Sequence, residues 1–304
     1  MRIAVVGSGA LGLYYGALLQ RAGNEVTFLL RRDYEAVSAS GLTVRSINGD
    51  FKLDKVSAAL RPEEIGETEL VLVGLKTFAN DSYQELIAPL VGDKTYILTL
   101  QNGLGNEELL AELFGSYRIL GGVAFLCANR GEPGTVHHLG AGRIELGCFA
   151  DAPESLLTEV AVMFRAAGVD CRQVRDLKSA RWQKLVWNIP FNGLCTLLNA
   201  PVDRLLTNAA TRSLVRDIML EVIAAANAQG LQEPIPAEFA EKMLVFSDGM
   251  GPYRPSMLID REEQRPLELD AIFARAVAAG AKSGVQLDKT SMLHSLLQFV
   301  SAEC

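Results

Sequence analysis

Short apolar runs alternate with helically spaced stretches as far as about Asp176, and beyond that point helical spacing prevails. Arg2–Val6 opens the chain as a buried strand, followed by a helical stretch to about Gly23 and a second strand over Val26–Leu30. Leu42–Ile47 and Phe51–Leu53 flank Asn48-Gly49-Asp50, which predicts an antiparallel hairpin. Further strands are predicted at Leu70–Leu75, Tyr96–Leu100, Ile119–Cys127, Gly134–Leu139, Arg143–Leu146 and Val169–Val174. Between them helices are predicted from Lys76-Thr77 to about Leu90 and over Glu154–Gly168. The second half reads as helices over 180–199, 209–229, 236–247, 270–283 and 287–302. The expected architecture is an α/β N-terminal domain, 1–175, followed by an all-α C-terminal domain, 176–304.

Between the first strand and first helix stands Gly7-Ser8-Gly9-Ala10-Leu11-Gly12, a G-x-G-x-x-G pattern with strand, helix and second strand all in place. Gly7 suits the tight turn, Gly9 lets backbone approach a pyrophosphate, and Gly12 lets helix and strand pack closely. The helix N-terminus offers N–H groups to phosphate oxygens. These residues predict dinucleotide binding. The second strand ends in Leu29-Leu30-Arg31-Arg32, with no acid to bond a ribose 2′-hydroxyl until Asp33. The Arg31 guanidinium suits a 2′-phosphate, so NADP(H) is the expected cofactor; otherwise the two arginines are solvated loop charges.

The apolar segment 3–19 imitates a signal peptide or membrane span, but it is shorter than about 20 residues and is cut by Gly7, Gly9, Gly12 and Gly16. With a net charge of −7 and no dense Lys/Arg run, the chain is not expected to bind nucleic acid. Five cysteines, odd in number and without a CxxC pair, read as reduced thiols of a cytoplasmic protein. The histidines, His137, His138 and His294, fit no metal spacing, and the His-His pair reads as solvent-facing polar side chains in a turn-rich stretch.

Lys76 and Asn102 follow the C-terminal ends of two predicted strands, where open α/β sheets bind ligands; each also suits a turn or cap. The helix over 180–199 is apolar on most faces, yet Lys184, Asn188 and Asn192 recur every fourth position, with Thr196 and Asn199 extending the row. Such a stripe is either an internal polar network or the wall of a ligand site. Pro190 and Gly193 weaken the helix within it.

The Gly7–Gly12 loop, Leu75-Lys76-Thr77, Gln101-Asn102-Gly103, and Lys184-Leu185 with Asn188 and Asn192 together resemble the ketopantoate reductase family. So do Pro255-Ser256-Met257-Leu258 with Asp260, and Glu268-Leu269-Asp270. The resemblance covers nearly the whole chain. It implies a Rossmann-type N-terminal domain, a helical C-terminal domain and an active site in the cleft between them. It also implies NADPH-dependent reduction of 2-dehydropantoate to (R)-pantoate, on the route to pantothenate and coenzyme A. The family's catalytic lysine maps onto Lys184, its acidic partner onto Glu268, its substrate asparagines onto Asn188 and Asn192, and its carboxylate-binding serine onto Ser256. Lys76 and Asn102 match cleft-lining positions. One departure stands at Ala200-Pro201-Val202-Asp203, after which many members carry a further asparagine.

Reducing a ketone with hydride builds negative charge on the carbonyl oxygen, and a positioned donor must stabilise it and deliver a proton. With few histidines, Lys184 is the best candidate for that task. Ser256 also reads as a simple helix cap and Glu268 as a solvated charge. The substrate expected is a small 2-keto acid, without nucleic acid, membrane or bound metal, and the remaining helices are scaffold or a homodimer surface. The competing readings are a paralogous 2-keto or 3-hydroxy acid dehydrogenase and a non-catalytic NADP(H)-responsive regulator.

Overall fold

The computed structural model describes residues 1–302, so Cys304 lies outside the described residues. The chain divides into two compact units, one comprising Met1–Gln101 and Asn106–Leu177, the other Asn102–Gly105 and Lys178–Cys304.

The first unit is built on a ten-stranded sheet. Its strands are β1 (Arg2–Val6), β2 (Glu25–Leu29), β3 (Leu42–Ser46), β4 (Phe51–Leu53) and β5 (Ser57–Ala59), then β6 (Thr68–Val73), β7 (Val91–Thr99), β8 (Ile119–Arg130), β9 (Thr135–Cys148) and β10 (Cys171–Gln173). The sheet order is β4-β3-β9-β8-β7-β6-β1-β2-β5, with β10 also paired to β9. From β5 to β8 the neighbours run parallel; β9 returns antiparallel to β8. Side chains of β1 alternate between two cores: Ile3 and Val5 pack into one, Ala4 and Val6 into the other. Burial on both faces is why this strand reads as an unbroken apolar run.

The helices of this unit are α1 (Ala10–Arg21), α2 (Tyr34–Ser40), α3 (Tyr83–Ile87), α4 (Asn106–Phe114) and α5 (Glu154–Ala166). The expected helix from Thr77 to Leu90 is instead a 3₁₀ stretch, Thr77–Ser82, then the short α3, then a second 3₁₀ turn at Ala88–Leu90. Asn80, Asp81 and Ser82 compete with the helical backbone for hydrogen bonds, and Pro89 cannot donate one. The two strands expected over 134–146 form the single strand β9. It bends where Ala141 and Gly142 take positive φ, and its pairing with β8 shifts register there.

The second unit comprises α6 (Leu177–Leu198, entered from the last residue of the first unit), α7 (Val202–Thr207), α8 (Ala209–Asn227) and α9 (Glu238–Asp248). It continues with α10 (Ser256–Glu262), α11 (Arg275–Lys282) and α12 (Asp288–Ala302). A π-helical turn, Asp270–Ala274, leads into α11. Despite Pro190, α6 continues over 22 residues. Gly193 serves packing: a Cβ there would collide with Leu293 of α12 and press on Phe273. No helix of the described residues is long and apolar enough to cross a membrane.

Candidate functional site

In the first unit the glycine motif forms a bare cradle. Gly7 has φ +96°, and a Cβ there would overlap the backbone of Gly74 and Leu75. A Cβ on Gly12 would strike the Gly7 carbonyl oxygen. Gly9 caps α1 without a side-chain bond, and a Cβ at Gly9 would meet nothing within 4 Å. The opening turn of α1, with Ala10 and Leu11, therefore presents backbone rather than side chains, and no acid stands in it. Such a helix end fits a dinucleotide pyrophosphate. The Ser8 hydroxyl donates to the Leu29 carbonyl at 2.9 Å, fastening the loop to the end of β2.

Just beyond β2, Arg31 and Arg32 are exposed, whereas Asp33 is buried. An Arg130 nitrogen lies 2.5 Å from the Asp33 carboxylate. The first acid after the end of β2 is thereby committed to an ion pair. Lys76, half-buried, lies past the end of β6 as the cap of the 3₁₀ stretch.

The second unit assembles the polar stripe of α6. The Lys184 ammonium donates to the Asn102 side-chain carbonyl at 2.7 Å. Asn188 is 4% exposed, yet its amide bonds to no other group of the described residues and is not sealed off. Asn192 accepts from the Met257 backbone N–H at 3.1 Å and from the Ser256 hydroxyl at 3.4 Å. It thus caps α10, whose own cap residue, Pro255, has no side-chain donor or acceptor. Ser256 is the first residue of that helix rather than its cap. Thr196 carries a sealed hydroxyl without a hydrogen-bond partner. Arg261 of α10 donates to the Thr196 and Leu197 carbonyls, satisfying the last turn of α6. Glu268, which read alone as a solvated charge, is buried just before the π-helical turn.

Asn102 reaches this unit as part of a four-residue loop. Gly103 and Gly105 have positive φ, and a Cβ on Gly103 would strike the Ala271 carbonyl, which also accepts from Leu104 N–H at 2.9 Å. Sequence spacing isolates Lys184 and Asn102 as separate candidates and misses their pairing, because no local pattern links positions 82 apart. It also misses Arg130, which stands in a strand with no motif around it.

Other polar groups are structural. His138, expected at the surface, is buried in β9, while His137 beside it is half-buried. The His138 ring stacks on Tyr14 with centroids 4.4 Å apart. Its Nε2 faces the Gly140 and Ala141 carbonyls at 3.1 Å, so that nitrogen carries the proton. Nδ1 then accepts from Ser46 at 2.9 Å and Tyr14 at 3.2 Å. Cys127, Cys148, Cys171 and Cys195 are free thiols. Burial pushes the Cys171 thiol up to about 11 and that of Cys195 higher still, so neither suits a nucleophile. Among the described residues no group of His, Cys, Asp and Glu is placed to hold a metal ion.

The family described as ketopantoate reductase PanE/ApbA matches residues 3–151, and its C-terminal counterpart matches residues 176–301. A 2-dehydropantoate 2-reductase of Nostoc sp. is 41% identical over 304 residues, spanning 98% of this chain and 95% of its own. The crystal structure of 2-dehydropantoate 2-reductase from Geobacter metallireducens matches with a TM-score of 0.97 at 64% identity, covering 98% of this chain and 99% of that one. The ternary structure of D-mandelate dehydrogenase with NADH and anilino(oxo)acetate shares the fold, with a TM-score of 0.91 at 22% identity over 100% of this chain and 99% of that one. With both parts of the family pattern matched in order along one chain, the protein belongs to the ketopantoate reductase family.

Proposed function

We propose that this protein is an NADP-dependent oxidoreductase that reduces 2-dehydropantoate to (R)-pantoate, on the route to pantothenate and coenzyme A. The observation that carries the reading is the Lys184 ammonium, oriented by Asn102 on the same helical stripe as the uncommitted amide of Asn188. The Asn102 carbonyl gives the ammonium a fixed direction. In this reading the ammonium faces the oxyanion that develops on the keto acid.

Residues 1–175 hold the cofactor in this reading and residues 176–304 the substrate. Gly7, Ser8, Gly9, Ala10, Leu11 and Gly12 form the pyrophosphate cradle, Arg31 takes the 2′-phosphate, and Lys76 and Asn102 line the site. The nicotinamide, when bound, supplies the hydride. Lys184 stabilises the developing alkoxide and gives it a proton, with Glu268 as its acidic partner. Asn188 and Asn192 bind the substrate's polar groups, and Ser256 its carboxylate. The partner is a small-molecule 2-keto acid; the working form is a cytoplasmic homodimer, to be read by light scattering.

The test is the decay of NADPH absorbance with purified protein and a panel of 2-keto acids. Turnover confined to 2-dehydropantoate supports the proposal. Turnover of another acid alone replaces the substrate, and binding of NADPH without turnover of any acid overturns the enzymatic reading.

A further inference from the structure

We infer that Asn80 and Gln101 are positioning residues that hold Asn102 against Lys184, an inference that rests on Lys184 as the proton donor of the proposed reaction. Gln101 and Asn106 stand immediately before and after the loop Asn102–Gly105. Their side chains are joined through Asn80. The Gln101 amide nitrogen donates to the Asn80 carbonyl at 2.8 Å, and the Asn80 amide nitrogen donates to the Asn106 carbonyl at 2.9 Å.

At one end this chain meets two hydroxyls. The Gln101 side-chain carbonyl accepts from the Tyr83 hydroxyl at 2.5 Å and the Thr99 hydroxyl at 2.9 Å. With both hydroxyls donating to that oxygen, the Gln101 nitrogen faces Asn80. That contact in turn orients the Asn80 amide. Reversing Asn80 would set nitrogen against nitrogen on one side and oxygen against oxygen on the other. Tyr83, Thr99, Gln101 and Asn106 are buried, and Asn80, which joins Gln101 to Asn106, is half-buried.

The two ends of the loop are thus tied together by side chains, and its middle is pinned by the Leu104–Ala271 backbone bond. This loop carries the Asn102 side chain whose carbonyl accepts from Lys184. Loosening the tie lets Asn102 drift and with it the direction of the ammonium. Small misplacements of this kind lower turnover more than binding.

The experiment compares wild type, Asn80→Ala, Asn102→Ala and the double variant. Asn80→Ala should lower kcat for 2-dehydropantoate roughly tenfold while the Kd for NADPH, read by fluorescence, stays at the wild-type value. In the Asn102→Ala background the same change should cost nothing further, because its route of action is already gone. Hydrogen–deuterium exchange at residues 102–105 should quicken in Asn80→Ala, a readout independent of turnover. If Asn80→Ala does not fold, the isosteric Gln101→Glu, which sets oxygen against the Asn80 carbonyl, serves in its place. A folded variant with wild-type kcat and exchange, or losses that multiply in the double variant, overturns the inference. A wild-type protein that turns over no 2-dehydropantoate defeats the proposed function instead, and the exchange measurement then decides the tether alone.

Discussion

Arg130, at the end of its strand, holds the carboxylate of Asp33 at 2.5 Å, and Asp33 is buried while Arg31, two positions before it, stays exposed. The pairing occupies the acid that follows β2 and leaves the Arg31 cation exposed. Arg31→Ala should therefore raise the KM for NADPH roughly ten- to a hundredfold, the equivalent of about 1.5–3 kcal/mol, and hardly alter that for NADH. Steady-state kinetics with both cofactors decide it; equal losses would move the 2′-phosphate contact to another residue such as Arg32.

Gly7 and Gly9 should separate folding from cofactor binding. Gly7→Ala forces a side chain into backbone at a positive φ, and a loss of at least ~1–3 kcal/mol is expected in thermal or urea unfolding. Gly9→Ala meets open space, so stability should hold within about 0.5 kcal/mol. Its methyl group would stand where the pyrophosphate must approach, and NADPH affinity should fall. Undiminished NADPH affinity in Gly9→Ala would place the phosphates elsewhere.

Lys184→Ala should keep the fold and NADPH binding while kcat drops by roughly 10²–10⁴. Reduction needs the ammonium, so kcat/KM for the keto acid should fall as rising pH deprotonates it. Oxidation of pantoate needs the free amine and should rise over the same interval. Pre-steady-state and pH-rate measurements on both directions check this, and an alkaline limb that survives in Lys184→Ala would redirect attention to Lys76.

Asn192 carries a structural duty and a proposed substrate duty on different atoms. Its oxygen caps α10, and Asn192→Ala should cost about 1 kcal/mol of stability for that reason alone. Asn192→Asp keeps the accepting oxygen and puts negative charge near a helix N-terminus, so stability should hold. The lost amide donor and the added charge should nevertheless raise the KM for an anionic keto acid. A folded Asn192→Asp with unchanged KM would leave the residue as a cap only.

The parts that could be read in advance are those in which a local pattern reports a local constraint. The turn at Gly7, the hairpin at Asn48-Gly49 and the four-residue recurrence of Lys184, Asn188 and Asn192 each follow from backbone geometry over a few positions. The burial of His138 could not be read this way, because Tyr14, which packs on it, comes from another segment. The same holds for Asp33 with Arg130 and for Lys184 with Asn102. A helix broken by Asn80-Asp81-Ser82 and Pro89 keeps its apolar spacing and so reads as a continuous one.

The chain passes from one unit to the other at three points, after Gln101, after Gly105 and after Leu177. A proteolytic nick at the last of these would yield two fragments whose sequences do not coincide with the two folding units. The C-terminal fragment would lack Leu104, which packs against the core of the helical unit, and the Leu104–Ala271 backbone bond. Expressed alone, it would carry a vacant apolar seat and an unsatisfied carbonyl, both of which invite aggregation. Supplied with the N-terminal fragment, it would regain the missing plug. Recovery of the helical half would then report on fragment complementation rather than on autonomous folding.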